Sequence, residues 1–113
     1  MIKIIFYVNE KKYIGFECLG HAEYSKYGKD VLCAAVSGIT QAACLGVLNV
    51  LNISANISKD DEKGYLKLVT PKNLSDEEIQ GSNLILKTAY VSLKDLESGY
   101  PKHIKIEEKS YVY

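Results

Sequence analysis

The chain has 113 residues, which suits a single domain with one hydrophobic core. Hydrophobic residues make up 47% and charged residues 25%, as in ordinary soluble globular proteins. The 14 basic side chains balance the 14 acidic ones, so the net charge is zero. That balance argues against direct nucleic-acid binding through phosphate neutralisation.

Two further features bear on the cellular location. The chain contains three cysteines, an odd number that argues against a disulfide framework, and its first residues lack the pattern of a signal peptide. Residues 31–58 carry no charge and are long enough to span a bilayer. However, polar residues such as Ser37, Gln41 and Asn49 interrupt this stretch, and no basic cluster flanks it. We therefore expect a cytoplasmic protein without membrane association.

The first nineteen residues predict a β-hairpin. Apolar residues alternate from Ile2 to Val8, as in a strand, and a polar turn at residues 9–12 leads to a second strand at residues 13–19. Gly20 ends that strand, and a polar loop at residues 22–29 follows.

The central segment predicts a long helix. Asp30 has the side chain of a helix N-cap, and residues 31–51 are apolar on nearly all sides. We expect this helix to be central and buried.

The second half predicts two more strands, an amphipathic helix and a last strand. Strands are expected at residues 53–57 and 65–70, and Ser75 and Glu78 have the spacing of a capping box. Gly99 is placed to end the helix, and the last strand follows at residues 103–108. The helix has one apolar stripe, formed by Ile79, Leu86, Tyr90, Leu93 and Leu96. The order β-β-α-β-β-α-β predicts a small α+β domain over residues 1–113, with a mixed or antiparallel sheet, a central buried helix and a second amphipathic helix.

His21 and Cys33 are the residues whose types and positions suggest a catalytic site. If Asp30 is the cap, Cys33 is the third helical residue, next to unpaired backbone N–H groups and the positive end of the helix dipole. This environment favours thiolate over thiol, and His21 would add an imidazolium partner. The same N–H groups are suited to hold an oxyanion. The segment therefore supplies the parts of a cysteine nucleophile site.

Other readings of the cysteines stay open at this point. A cysteine in an apolar helix is most often a packing residue, and Cys18 and Cys44 are interpreted that way. Cys44 lies about 16 Å along the helix from Cys33. A zinc site would use Cys18, His21 and Cys33, but its fourth ligand would have to be the remote Cys44 or His103. We therefore predict neither a metal nor another cofactor.

These residues resemble a known family, the ribosomal-processing cysteine protease family Prp. The resemblance extends over the whole chain and includes the turn at residues 98–101. It is carried by two runs, Gly20-His21-Ala22 and Gly28-x-Asp30-x-x-Cys33-Ala34-Ala35-Val36-Ser37.

The resemblance implies a specific activity. It implies a homodimer that removes the N-terminal extension of a large-subunit ribosomal protein, number twenty-seven, by cleavage after a paired-phenylalanine end. It implies Cys33 as nucleophile and His21 as base, while Gly20, Asp30 and Ser37 match other positions that matter in the family. Whether Asp30 orients His21 or only caps the helix is left open.

The loop between the two residues of the dyad is expected to act as a lid. It contains Tyr24, Tyr27 and Gly28, and the two tyrosines are suited to pack on the aromatic end of a substrate.

The alternative hypothesis is a non-catalytic ribosome-assembly factor that binds ribosomal protein or RNA. It would need no activated cysteine.

Overall fold

The computed structural model describes residues 1–20 and 28–113, with the side chains of all of these except 28–30. Five strands and two helices follow one another along the chain. They are β1 (Ile2–Asn9), β2 (Lys12–Leu19), α1 (Gly28–Leu45), which continues into a π-helical turn (Gly46–Val50), β3 (Asn56–Asp60), β4 (Tyr65–Val69), α2 (Asp76–Gly99) and β5 (Ile104–Ser110).

The five strands form one mixed sheet in the order β3-β4-β2-β1-β5. β1 runs parallel to β5, with Ile2 opposite Ile104, and the other neighbours are antiparallel. Because β1 and β5 are parallel, a crossover must join them, and it contains both helices and the β3–β4 hairpin. The predicted single α+β domain with two helices is therefore confirmed, with the sheet mixed.

One face of the sheet carries the core. Ile2, Ile4 and Phe6 alternate along β1 and are almost fully buried, and Phe16 and Cys18 on β2 lie in the same cluster. Both helices contribute to that cluster, through Leu32, Val36, Ala43, Cys44, Leu86, Ala89 and Leu93. The helices therefore cover a single face of the sheet, and this layer contains the core.

Within the part of the chain that the structure describes, α1 is covered on one side only, so the prediction of a central buried helix is wrong in this respect. Leu32 and Val36 are buried, whereas Val31 is 72% exposed and Leu45 is 54% exposed. With two helices in one layer, nothing in the described chain lies outside α1. Within the described residues, one helical segment, Val31–Val50, is long and apolar enough to cross a membrane by length and composition, and one such helix is weak evidence of a span.

Two predicted boundaries also need correction. α1 begins at Gly28, so Asp30 is its third residue and not its N-cap. β3 begins at Asn56, three residues later than expected, because Ile53 is a core residue of the connection, with its N–H donating to the Val47 carbonyl. Asn52 has a φ of 56°, a left-handed conformation that stops the helix before this connection.

α2 follows its prediction closely. The Ser75 hydroxyl accepts from the Glu78 N–H at 3.1 Å, and the Ser75 N–H donates to the Glu78 carboxylate at 3.0 Å, which completes the capping box. The helix ends at Gly99, and Leu86 and Leu93 of its predicted stripe are fully buried. Local sequence therefore determined both ends and the buried face of this helix.

Candidate active site

Cys33 lies in the second turn of α1, as the sixth helical residue and not the third as expected. The N–H of a sixth helical residue has a hydrogen-bond partner within the helix, whereas the first four N–H groups, those of residues 28–31, have none. The Cα–Cβ bonds of a helix tilt toward its N-terminus, so the Cβ atom of Cys33 is on the side of this first turn. The unpaired N–H groups therefore precede Cys33 by about one turn.

Cys33 is half-buried and forms part of the wall of a cavity of about 180 Å³. The cavity lies between α1 and the β3–β4 hairpin, and residues at the C-terminal end of β2 form part of its wall. Its apolar lining is formed by Ile2, Cys18, Val36 and Leu66, and its polar lining by Ser37, Thr40, Gln41, Lys59, Asp61 and Tyr65, with Gly20 and Gly64. A thiol beside a pocket with both apolar and polar lining is an arrangement suited to an extended peptide.

Gly20 has a position that only glycine fills without strain. Its φ is 104°, and a Cβ atom there would meet the main-chain carbonyl oxygen of Met1. Its N–H donates to the Gly64 carbonyl at 3.2 Å, which joins the end of β2 to the β3–β4 turn. Gly20 therefore sets the direction in which the chain leaves the sheet toward residue 21.

The structure brings together three of the predicted site residues, Gly20, Cys33 and Ser37, around the same cavity. Ser37 lies one helical turn after Cys33, and its carbonyl accepts a hydrogen bond from the buried Thr40 hydroxyl at 3.3 Å. Asp30 is in the first turn and Gly28 begins the helix. His21, Tyr24 and Tyr27, and with them the expected lid, lie outside the described residues.

Sequence reasoning missed two contributions to this cavity. The first is the β3–β4 hairpin, from which Lys59 and Asp61 reach the rim and pair at 3.5 Å. The second is Cys18, which was interpreted as a packing residue and also lines the cavity. The strand alternation already placed Cys18 on the core face, but only tertiary packing shows that α1 brings Cys33 to the same place.

The cysteines other than Cys33 are poor nucleophiles at neutral pH. Burial raises the pKa of Cys18 to about 12, with a smaller contribution from the neighbouring Cys33. Burial raises the pKa of Cys44 to about 11, and the charge of Lys59 partly offsets this effect. Their exposed fractions are 8% and 7%. Both are therefore protonated and shielded, as expected of packing residues.

No group of three His, Cys, Asp or Glu side chains suited to hold a metal occurs in residues 1–20 and 28–113. His103 lies in the turn before β5, where its carbonyl accepts from the Ile2 N–H at 2.8 Å. Since Ile2 lines the cavity, His103 is nearer to the site than its place in the sequence suggested.

Comparison with known proteins assigns the family. The sequence profile of the family "Cysteine protease Prp" matches residues 1–105. The chain belongs to this family. The ribosomal processing cysteine protease Prp of Bacillus subtilis is 26% identical over 98 residues, which cover 87% of this chain and 88% of that protein. Prp of Mycoplasma genitalium is 32% identical over 93 residues, covering 81% and 85%.

A solved structure agrees with this assignment. The essential ribosomal processing protease Prp from Staphylococcus aureus, in complex with a covalently linked product peptide, superposes with a TM-score of 0.82 at 28% identity. The match covers 96% of this chain and 100% of that chain. The chain is therefore a cysteine protease, and the hypothesis of a non-catalytic assembly factor is set aside.

The three thiols should differ sharply in reactivity. We expect iodoacetamide at pH 7 to alkylate Cys33 before Cys18 or Cys44, because the other two are more buried and have raised pKa values. Peptide mass spectrometry after timed quenching measures each rate, and the urea-unfolded protein, in which the three rates converge, is the control. Equal labelling in the folded protein would contradict this assignment.

Proposed function

We propose that this protease removes the N-terminal extension of a large-subunit ribosomal protein, number twenty-seven, by cleaving after a paired-phenylalanine end. The observation that carries the proposal is the position of Cys33 on the wall of a cavity that is lined in part by apolar side chains. Among these, Ile2, Val36 and Leu66 suit an aromatic side chain next to the scissile bond. The relatives named ribosomal processing proteases support the class of substrate.

The proposed chemistry is acyl transfer through a thioester. The Cys33 thiolate attacks the scissile carbonyl carbon, and the unpaired N–H groups of the first turn of α1 stabilise the oxyanion. His21, as imidazolium, donates its proton to the leaving amine, and the C–N bond breaks. Neutral His21 then takes a proton from water, which hydrolyses the thioester and releases Cys33. The peptide bound covalently in the related Staphylococcus aureus structure supports a covalent route.

The dyad is tested by cleavage of the ribosomal protein carrying its extension, followed by intact-mass spectrometry. We expect Cys33→Ala and His21→Ala each to lower kcat/KM by at least about 1000-fold, and the double variant to lose little more, because the two residues act as a unit. The matched control is His103→Ala, which should retain activity. If His21→Ala remains active and His103→Ala does not, His103 is the base.

Asp30 and Ser37 have positioning roles in this proposal. Any carboxylate in the first turn of α1 interacts favourably with the helix dipole and stabilises the helix. The presence of Asp30 there therefore does not by itself show a role in catalysis. We propose that Asp30 also orients the His21 imidazolium. Ser37 is one turn after Cys33 and lines the same cavity, and we propose that its hydroxyl hydrogen-bonds the substrate main chain.

Asp30→Asn separates the two roles of Asp30. Loss of the charge–dipole interaction alone should lower the free energy of unfolding by less than about 1 kcal/mol. Loss of the carboxylate partner should lower kcat/KM by about 100-fold and move the alkaline limb of its pH profile to lower pH, because the imidazolium is less stabilised. Urea denaturation and pH-dependent peptide cleavage measure these effects. A fully active variant with an unchanged pH profile would assign Asp30 to helix stability only.

We further propose that the protein is a homodimer that pairs through α1. The outer side of this helix presents mainly apolar and small residues, namely Val31, Ala34, Gly38, Ala42 and Leu45, beside the exposed polar side chains of Ser37 and Gln41. It borders an apolar groove of about 420 Å³ between α1 and α2, where Leu84 is 65% exposed. A Cβ atom at Gly38 would meet no described atom within 4 Å, so the fold of one chain gives no reason for glycine there. Close approach of a second helix does supply a reason.

A charge on this surface should dissociate the dimer. We expect sedimentation velocity to show a dimer for the wild type and a monomer for Ala42→Glu, because the new carboxylate would be buried without a partner. The matched control, Ser58→Glu, adds the same charge on the exposed edge strand β3 and should remain dimeric. A monomeric wild type at micromolar concentration would contradict the proposal.

The proposed location is the cytoplasm. The reaction needs a reduced nucleophile, and all three cysteines, which lie within the described residues, are unbridged thiols.

A further inference from the structure

Two thiols face the same cavity from opposite layers of the fold. Cys18 is on the helix-facing side of β2, opposite Ile4 of β1 and Leu66 of β4. Cys33 is on α1, which packs on this side of the sheet. Both line the cavity of about 180 Å³, and the Cys33 thiol is near enough to Cys18 to affect its pKa. A buried packing cysteine would not need to border the nucleophile.

The third cysteine, Cys44, is not among the described residues that line this cavity. Cys44 belongs to the core between α1 and the sheet, eleven residues after Cys33 and thus about 16 Å along the helix. The geometry therefore singles out one pair of thiols, Cys18 and Cys33, and provides an internal comparison with Cys44.

We propose that Cys18 is a resolving cysteine for Cys33, and that the pair forms a reversible disulfide when peroxide oxidises the nucleophile. In the first step the Cys33 sulfur attacks hydrogen peroxide, a new S–O bond forms, and the O–O bond breaks. Cys33 is oxidised by two electrons to the sulfenic acid, and peroxide is reduced to one water. In the second step the Cys18 sulfur attacks the Cys33 sulfur, the S–S bond forms, and the S–O bond breaks. The oxygen leaves as a second water with the proton of Cys18.

The consequence of this reaction is protection of the nucleophile. The disulfide blocks cleavage, but a dithiol restores Cys33, whereas further oxidation to sulfinic acid is irreversible. Because Cys18 is protonated at neutral pH, its attack is slower than the first step, and the sulfenic acid has a measurable lifetime. The inference concerns the state of Cys33 and goes beyond the proposed cleavage reaction.

The experiment treats the full-length protein with hydrogen peroxide at pH 7.5, alkylates it at timed intervals, and maps the cysteines by mass spectrometry without reduction. In the wild type we expect a peptide pair joined through Cys18 and Cys33, which dithiothreitol separates into unmodified peptides. In Cys18→Ala and in Cys18→Val, whose side chain fills the core and suits a strand, we expect sulfenic acid trapped by dimedone. In parallel samples without dimedone, these variants should accumulate at least about tenfold more sulfinic acid at Cys33 than the wild type.

The matched control is Cys44→Ala, which should form the same Cys18–Cys33 disulfide as the wild type. Circular dichroism before oxidation checks that each variant is folded. Equal sulfinic acid at Cys33 in the wild type and in both Cys18 variants would overturn the proposal. So would a disulfide that joins Cys33 to Cys44 or to a second chain. Because the readout is mass and not cleavage, failure of this proposal is distinguishable from failure of the proposed substrate.

Discussion

The arrangement of this protein depends on the rotation of α1 about its own axis as it packs on the sheet. The helix must bury Leu32 and Val36 on the core face, and each such side chain contributes about 2 kcal/mol when removed from water. Since neighbouring helical positions differ by about 100°, this choice determines where every other side chain of α1 is directed. Cys33 and Ser37 are directed toward the β3–β4 hairpin, and Gly38 and Ala42 are directed away from the sheet. The rotation of α1 about its axis thus determines both the position of the cavity and the surface proposed for the dimer.

The connection from β2 to α1 supplies the second constraint. The end of β2 is held by the hydrogen bond between Gly20 and Gly64, and α1 begins eight residues later at Gly28. Gly20 and Cys33, which belong to different elements, both line the cavity, and this common position is the structural basis of the proposed pairing of the nucleophile with the residue after Gly20 in the sequence.

The cavity wall also shows how one residue can serve packing and chemistry together. Cys18 fills its place in the core, but its sulfur borders the nucleophile. Strand faces commonly carry β-branched residues such as valine, so the thiol has a chemical consequence that a strand position does not itself require. If peroxide drives the proposed disulfide, the protease is switched off by a residue of its own core and recovers without resynthesis.

Sequence alone was sufficient for the features that depend on local rules. The alternation in β1, the capping box of Ser75 and Glu78, and the stop at Gly99 depend on neighbours within a few residues, and all three were predicted. The resemblance around Cys33 likewise led to the correct family, because its motif residues are close together in the sequence. Two other features were decided by tertiary structure.

They are the exposure of the outer side of α1 and the presence of Cys18 and Lys59 on the cavity wall. Composition shows that α1 is apolar but not how many layers cover it, and strand alternation shows which face Cys18 is on but not which helix residue meets it. Both depend on contacts between residues far apart in the sequence, which become determined only when the helices pack on one face of the sheet.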